Sequence, residues 1–242
     1  MEVSHLNELS ELEQSYWWHV AKQKLVTGLL KAYGPSTGQL VEGGIGAAGN
    51  LKHFQQLGYQ VTGLDIMPES VEYAREAGLE SVHQHDLCEP WPVKQDFADC
   101  VVLLDVVEHV PDPIRALQNA YECLKTGGFL FVTVPAYQWL FSQWDEHLGH
   151  YRRYTTELLK QHATKAGFET KKLTYWNSFT LPAAAAIRTW EKKGQQMQKA
   201  EFPRVSPLVN QSLLGCASME RMVIQNGGSI PCGLSVAGVF RK

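Results

Sequence analysis

The feature that most constrains the fold is a glycine-rich stretch that follows a short apolar run. Residues 39–50 read QLVEGGIGAAGN, in which Gly44, Gly46 and Gly49 satisfy the spacing G-x-G-x-x-G. Because glycine has no Cβ, the backbone can turn sharply there and a ligand can approach its N–H groups. The stretch therefore predicts a buried strand, a tight turn and the start of a helix whose positive end faces a ligand.

Acidic residues mark the ends of successive apolar runs. Glu42 stands directly before the glycines, Asp65 ends the next run, and Asp86 and Asp105 follow two further runs. A carboxylate at Glu42 would gain nothing from a nearby pyrophosphate, but it suits a cofactor that carries an ammonium and a sulfonium. Asp65 stands about 20 residues beyond the glycines, where a ribose diol is usually bound.

These strand-end motifs resemble those of class I S-adenosylmethionine (SAM)-dependent methyltransferases. The motifs are Glu42-Gly43-Gly44-Ile45-Gly46, Asp65-Ile66, Asp86-Leu87 and Asp105-Val106-Val107-Glu108-His109-Val110. The resemblance implies SAM as cofactor and S-adenosylhomocysteine as product, and no metal is expected. Ala48 departs from the family pattern, which often has glycine there, so we expect a slight shift of the helix start.

The resemblance also implies roles for individual residues. Glu42 would hold the methionine ammonium, and the glycines Gly43, Gly44 and Gly46 would leave room for the methionyl group. The remaining roles are Asp65 for the ribose hydroxyls, Ile66 against adenine, Asp86 and Leu87 for the adenine amino group, and Asp105 and Val106 at the methionine end.

Composition excludes several classes of protein. The formal net charge of −3 gives no electrostatic reason to expect a nucleic-acid partner. The five cysteines are scattered without a C-x-x-C pair, so we expect reduced thiols rather than a disulfide framework or a zinc site. The polar start is unlike a secretory signal and no apolar run reaches the ~20 residues of a membrane span. A cytoplasmic location is expected.

The alternation of strand and helix signals predicts an α/β fold. We expect a Rossmann-like, seven-stranded, mostly parallel sheet with helices on both faces, whose last strand is antiparallel by resemblance. The predicted parts of this single domain are an N-terminal helical cap (1–35, with a helix over 6–33), the core (36–176), a helical insertion (177–226, helices near 180–199 and 207–226) and a closing strand (227–242). The insertion is predicted to be a lid, a dimer surface or a membrane-contacting element, so a homodimer stays open.

Aromatic residues in the predicted first helix allow two interpretations. Tyr16 and Trp17 begin the run Tyr16-Trp17-Trp18-His19. Such side chains can fix the helix to the domain, or one or two of them can cover the cofactor, because an aromatic face attracts a sulfonium.

The segment 135–154 is rich in aromatic and ionisable groups and follows a predicted central strand, where α/β folds bind ligands. The candidate catalytic residues are His147, His150 and Tyr154, and the candidate acceptor-binding residues are His109, Trp144, Arg152 and Arg153. Arginine forks suit a carboxylate or phosphate, so an anionic acceptor is one hypothesis. The alternative is that the arginines bind Asp145 or Glu146 and fix the loop. The segment also resembles a bacterial small-molecule subgroup with a G-H-x-R-R-Y signature.

The sequence therefore predicts an enzyme that methylates oxygen or nitrogen of a small molecule, natural-product intermediates included. The alternatives are a methyltransferase for a lipid or saccharide intermediate, a SAM-binding partner subunit without activity, and a nicotinamide-dependent oxidoreductase. The carboxylate of Glu42 directly before the glycines argues against the last of these.

Overall fold

The computed structural model describes residues 3–191 and 205–242, in which seven strands form one sheet of order β3-β2-β1-β4-β5-β7-β6. The strands are β1 Gly38–Gly43, β2 Tyr59–Asp65, β3 Val82–Gln84, β4 Ala98–Leu104, β5 Leu124–Pro135, β6 Glu169–Trp176 and β7 Ser235–Arg241. All pairs are parallel except those of β7, which runs antiparallel to both β5 and β6. The predicted mostly parallel, seven-stranded α/β sheet is confirmed.

Helices connect these strands and cover both faces of the sheet. They are α1 Val3–Ser15, α2 Trp17–Tyr33, α3 Gly49–Gln56, α4 Pro68–Glu76, α5 Pro113–Cys123, α6 Gln143–His147, α7 Thr156–Lys165, α8 Leu181–Glu191 and α9 Pro207–Gln225. None of these described helices has both the length and the apolar character needed to cross a bilayer. The part of the predicted helix 180–199 that follows Glu191 lies outside the described residues.

The alternation of side chains along β4 explains why the sheet has a core on each face. Val101 and Leu103 are buried with residues of α5 and α7, whereas Cys100 and Val102 are buried with residues of α2 and α9. Successive side chains of a strand point to opposite faces. A central strand covered on both faces therefore reads as one continuous apolar run.

The prediction of one continuous helix over 6–33 was wrong. Tyr16 has extended backbone (φ −77°, ψ 127°) and separates α1 from α2. The N–H of Trp17, at the start of α2, donates to Oδ1 of Asn210 at 2.8 Å. This contact spans 193 positions of the chain, so the local apolar periodicity could not reveal the break.

The insertion before the last strand is anchored to the core by α9. Ala217 and Ile224 of α9 are buried with residues of α2. The Glu220 carboxylate accepts from the N–H groups of Asn177 at 2.6 Å and Ser178 at 2.9 Å, directly after β6. Helix α9 is thereby fixed to the carboxyl end of the sheet.

Candidate functional site

Backbone strain gathers at the carboxyl edge of the parallel strands. Ala48, Asp105, Tyr137 and Asn177 all have positive φ, between 54° and 64°. They follow β1, β4, β5 and β6. Such conformations are costly for residues other than glycine and gather at functional sites. This edge, where α/β folds bind ligands, is the candidate site.

The glycine loop lies at this edge in a conformation that needs glycine. Gly44 has φ +73°, and a Cβ there would lie 2.2 Å from Cγ2 of Val106. A Cβ on Gly43 would lie 2.7 Å from a methyl group of Leu103. Ala48 supports a left-handed turn (φ 59°), and α3 begins at Gly49. The turn therefore survives the departure from glycine at Ala48.

Asp65 connects the glycine loop to the end of β2. Its carboxylate accepts from the N–H of Gly46 at 3.0 Å and from the N–H of Met67 at 2.9 Å. Between these partners, Ile66 leaves 59% of its surface exposed. A fixed carboxylate thus lies beside an exposed apolar side chain, and the roles of these two residues toward ribose and adenine stay predictions.

The next strand end continues this wall. The N–H of His85 donates to the carbonyl of Asp65 at 2.7 Å, which places Asp86 beside the end of β2. The Asp86 carboxylate accepts from the N–H of Cys88 at 2.9 Å. Leu87 is buried, and its carbonyl accepts from the side chains of Trp91 and Asn119. Asp86 and Leu87 are therefore held rigidly where the adenine amino group is expected.

Acids and one lysine are concentrated at the methionine end of the predicted pocket. Glu42 is only 1% exposed, one of its carboxylate oxygens has no hydrogen-bond partner in the described chain, and burial raises its pKa well above the usual value. Lys22 of α2 forms an ion pair with Asp105 at 2.7 Å and lies 4.2 Å from the centroid of the Trp18 ring. The Glu13 carboxylate of α1 accepts from the N–H of Gly49 at 3.1 Å.

The aromatic residues at the start of α2 take different places. Trp17 is buried, with its ring centroid 5.8 Å from that of Phe179, and so fixes α2 to the segment after β6. Tyr16 is partly exposed at the break between α1 and α2. Trp17 therefore packs α2 against the domain, which is the first of the two interpretations. Tyr16 is the better placed of the two residues to contact a ligand.

Segment 135–154 contains a buried charge network around Asp145, which is fully buried on α6. Its Oδ1 accepts from Nε of Arg153 at 2.7 Å and from Nδ1 of His150 at 2.8 Å. Burial opposes ionisation of Asp145, but the hydrogen bonds from His150 and Arg153 outweigh it and lower its pKa. Because a carboxylate can only accept, the His150 proton lies on Nδ1, which leaves Nε2 for another partner.

The two arginines contact the protein itself. Arg153 is buried against Asp145, as the alternative interpretation of the arginine pair expects. Arg152 donates to the carbonyls of Val110 at 2.5 Å and Pro111 at 3.0 Å. Both guanidinium groups therefore fix the loop, and we do not carry them forward as ligands of an anionic acceptor.

The other candidates from this segment are spread more widely. Tyr154 is 0% exposed within the large core, and its hydroxyl lies 3.5 Å from the Val107 carbonyl. An acceptor has no access to it, so we do not carry it forward as a catalytic residue. His147 is exposed, with Nδ1 2.6 Å from the Gln143 carbonyl. Trp144 forms a cation–π contact with Arg188 of α8.

His150 instead meets the motif that follows β4. Its ring centroid lies 4.5 Å from that of His109, edge to face. One ligand atom each of Glu108, His109 and His150 lies within 4.8 Å of the others. Burial of the ring, and next the adjacent His150, lowers the pKa of His109 to about 4. The His109 imidazole therefore remains neutral at pH 7.

Two residues of the site were missed from the sequence, Glu13 and Lys22, whereas Asp145 was one of the two acids left open as a partner of the arginines. Lys22 carried a usable signal, because it lies four positions after Trp18 on the apolar face of a helix, where an unpaired charge is unfavourable. Glu13 carried no such signal, since acids are common on helix surfaces and its partner Gly49 is 36 positions away.

Comparison with known proteins identifies the family to which the chain belongs. A family model described as a methyltransferase domain matches residues 17–173. The chain is similar to a ubiquinone biosynthesis O-methyltransferase of Xanthomonas oryzae pv. oryzae (strain PXO99A), with 38% identity over 96 residues, 37% of this chain and 40% of the relative. The chain thus spans about 40% of the length of the first curated relatives it matches.

Solved structures share the fold. A SAM-dependent methyltransferase of Thermotoga maritima aligns with a TM-score of 0.62 and 21% identity, covering 99% of this chain and 97% of the other. Phosphoethanolamine N-methyltransferase 2 of Haemonchus contortus, in complex with SAM, aligns at 0.58 with 18% identity, covering 90% and 52%. At such identities the likeness concerns the fold alone, and the resemblance to a G-H-x-R-R-Y subgroup remains a prediction.

Proposed function

The chain belongs to the methyltransferase-domain family, and on that premise we propose that it transfers the methyl group of SAM to a small-molecule acceptor. The observation that carries the proposal is the concentration of acids at the carboxyl edge. Glu42 is buried beside the glycine loop, and Glu13, Asp65 and Lys22 all act on its charge. Buried acids in excess over cations favour a ligand that brings positive charge, as the ammonium and sulfonium of SAM do.

The proposed pocket runs along the strand ends. Adenine lies against Ile66 and near Asp86, the ribose hydroxyls bind Asp65, and the methionine end lies among Glu42, Asp105 and Val106. The Asp65 carboxylate is already oriented by two backbone N–H groups. Its oxygens retain further lone pairs for the ribose.

Methyl transfer is an in-line displacement, so the protein mainly has to align the acceptor with the sulfonium. We place the acceptor between the methionine end and the His109–His150 pair. Among the protein's own side chains, Nε2 of His150 is the candidate base, because Asp145 binds the other ring nitrogen. His147 is the weaker candidate for a base. It is exposed, and its Nδ1 lies next to the Gln143 carbonyl rather than next to a carboxylate.

An oxygen acceptor is favoured over nitrogen. The relative that shares 38% identity over 96 residues is named an O-methyltransferase. The aromatic rings of Tyr137 and Tyr175 are stacked, with centroids 5.1 Å apart, and Tyr137 also stacks on Trp139, which is 54% exposed. This aromatic surface follows β5 and would suit an apolar or aromatic acceptor that carries a hydroxyl group.

A lipid-like acceptor is a second candidate. Helix α9 exposes Leu208 (76%), Met219 (65%) and Met222 (52%). Large apolar side chains gathered on one element favour contact with another apolar body. Retention of the protein on liposomes, followed by methylation of a lipid-dissolved phenol but not of its water-soluble analogue, would select this candidate.

Calorimetry with SAM, S-adenosylhomocysteine and NADH tests the proposed function. We expect heat with the first two ligands, and at least about tenfold weaker SAM binding by Asp65→Asn. Asp96→Asn is the matched control, because Asp96 pairs with Lys242 away from the carboxyl edge. Binding of NADH without SAM would refute the proposal, and transfer of labelled methyl to simple phenols by the purified chain would separate an enzyme from a SAM-binding subunit.

A further inference from the structure

Glu108 is a buried carboxylate that the proposed methyl transfer does not explain. It is 0% exposed, and neither carboxylate oxygen has a hydrogen-bond partner in the described part of the chain. Burying a carboxylate without partners is costly unless it is neutralised by a proton or a cation. Burial, and next the charge of Asp105, raises the pKa of Glu108 well above its usual value.

The nearby cations of the protein are already engaged. Lys22 and Arg153 both act electrostatically on Glu108. However, the Lys22 ammonium is bound to Asp105 at 2.7 Å and the Arg153 guanidinium to Asp145 at 2.7 Å. Neither of them forms an ion pair with Glu108, so its oxygens remain available to another positive group.

Two imidazoles complete a set of ligand atoms around this carboxylate. One oxygen of Glu108 and one ring nitrogen each of His109 and His150 lie within 4.8 Å of one another. We propose that Glu108, His109 and His150 bind a divalent transition-metal ion of the zinc type. Two histidines and one glutamate, with an open position, form a recognised catalytic zinc set, whereas Mg²⁺ prefers oxygen ligands. This assignment departs from the sequence-based expectation that no metal takes part.

The distances require small movements only. Zinc bonds of about 2.0–2.1 Å in tetrahedral geometry place ligand atoms roughly 3.3 Å apart. Ligand atoms already within 4.8 Å reach that spacing through rotation of the side chains. His109 is exposed, so its ring has room to turn toward His150, whose ring is held by Asp145.

A supporting shell already orients His150. Nδ1 of His150 donates to Asp145, whose other oxygen accepts from the N–H of Ser142 at 3.0 Å and whose first oxygen also binds Arg153. Histidines that bind a metal commonly donate their second ring nitrogen to a carboxylate, which fixes the tautomer. The buried Asp145 network therefore has the form of a metal site's outer shell.

The ion would act on the acceptor, and this role rests on the proposed methyl transfer. The ligands run from fully buried Glu108 to exposed His109, so the acceptor can reach an open position of the ion from solvent. A hydroxyl bound there has a lowered pKa and releases its proton to water. The oxygen lone pair then attacks the methyl carbon, and the electrons of the breaking C–S bond pass to sulfur. With the ion bound, His150 acts as a ligand, and the cation replaces it as the means of activating the hydroxyl.

Metal titration of the chelator-treated, SAM-competent protein tests the site. We expect calorimetry to show one zinc ion bound per chain, and Co²⁺ to give the visible absorption of a four- or five-coordinate nitrogen–oxygen site. His109→Ala should weaken zinc binding at least tenfold, and its exposure makes misfolding a small risk. Glu108→Gln tests the carboxylate at almost constant shape. His147→Ala, an exposed histidine of the same segment, should leave zinc binding unchanged.

Zinc binding of equal strength in wild type, His109→Ala and Glu108→Gln would place the metal elsewhere and overturn the assignment, as would the absence of both heat and a Co²⁺ spectrum. SAM titration of the same samples separates the two proposals. If the wild-type protein binds SAM but no metal, only the proposed metal site is refuted. If the wild-type protein does not bind SAM, the proposed methyl transfer is refuted.

Discussion

The two halves of the carboxyl edge are built differently. On the β1–β2 side, main-chain groups do most of the positioning: Gly46 and Met67 donate their N–H groups to Asp65, and Gly44 packs its Cα against Val106. Beyond β5, side chains position one another, since Asp145 holds both Arg153 and His150. We call these the cofactor half and the acceptor half.

This difference fits the two tasks of the proposed function, which are to bind SAM and to position an acceptor. A cofactor that does not vary can be bound by backbone geometry, which changes little with sequence. An acceptor that differs between relatives is better served by side-chain networks, which can be exchanged while the sheet remains. Such a network has a disadvantage, because removal of one member leaves another buried charge unpaired and lowers the stability of the fold.

The largest expected effect comes from breaking the acceptor half at its centre. Asp145→Asn leaves the buried Arg153 guanidinium without its charged partner, so we expect the free energy of unfolding to fall by about 3 kcal/mol. SAM affinity, measured by calorimetry on the folded variant, should change less than about threefold, which is below 1 kcal/mol. Urea denaturation measures the stability.

Glu146→Gln is the control, because it neutralises the adjacent but exposed acid and should leave stability unchanged. If Asp145→Asn weakened SAM binding as much as it weakened folding, the two halves would not be separable.

The next effect concerns the cofactor half. Gly44→Ala combines a left-handed backbone with a Cβ 2.2 Å from Val106. The loop must shift, so SAM binding should weaken by about 100-fold, or about 2.7 kcal/mol. Gly78→Ala has the same kind of strain (φ +86°) but no atom within 4 Å of the added Cβ. It should lose stability without losing SAM affinity, and equal affinity in the two variants would contradict the role of the Gly44–Val106 contact.

A pH-dependent effect is expected at Glu13, where α1 meets the cofactor half. Burial raises the pKa of Glu13 to about 7 from 4.5, while Lys22 and then the Gly49 N–H act in the opposite direction, and Glu42 shares the same surroundings. A raised pKa means that the docked α1 holds a proton that the free helix releases. Docking is therefore fully favoured below pH 4.5 and weakens as the pH rises to about 7.

Hydrogen exchange of the α1 amides should report this titration. Without ligand, protection should fall at least about tenfold between pH 5 and pH 8, after correction for the intrinsic exchange rate. Glu13→Gln should remove most of the pH dependence, whereas Glu11→Gln, at an exposed position of the same helix, should retain it. A pH profile unaffected by Glu13→Gln would show that another group titrates.

The smallest effect is expected for Tyr154→Phe. The hydroxyl lies 3.5 Å from the Val107 carbonyl and also interacts with the Arg152 side chain, and the ring remains in the core. We expect a stability change of at most about 1 kcal/mol and methyl transfer within about twofold of wild type. A loss of kcat without a loss of stability would instead return Tyr154 to the catalytic residues.

The sequence allowed most of the cofactor half to be predicted, because strand ends and glycine spacing are local signals. The strand-end acids Glu42, Asp65 and Asp105 were located in this way, and their roles toward SAM stay predictions. The antiparallel last strand was predicted through family resemblance, and the structure confirms it. The break at Tyr16 could not be predicted, since its partner Asn210 is 193 positions away. The pairing of Asp145 with Arg153 was an open alternative, because a sequence does not show which charge of a loop is buried.

The position of β7 has a consequence for how the chain is made. Its Ser235 pairs with Pro135 of β5, 100 positions earlier, and the strand also pairs with β6 on its other side. At a synthesis rate of about 5–20 residues per second, the β5 edge waits roughly 5–20 s for this partner to leave the ribosome. During that interval a newly made chain presents an unpaired apolar edge to its neighbours, so the speed of translation sets how long aggregation can compete with closure of the sheet.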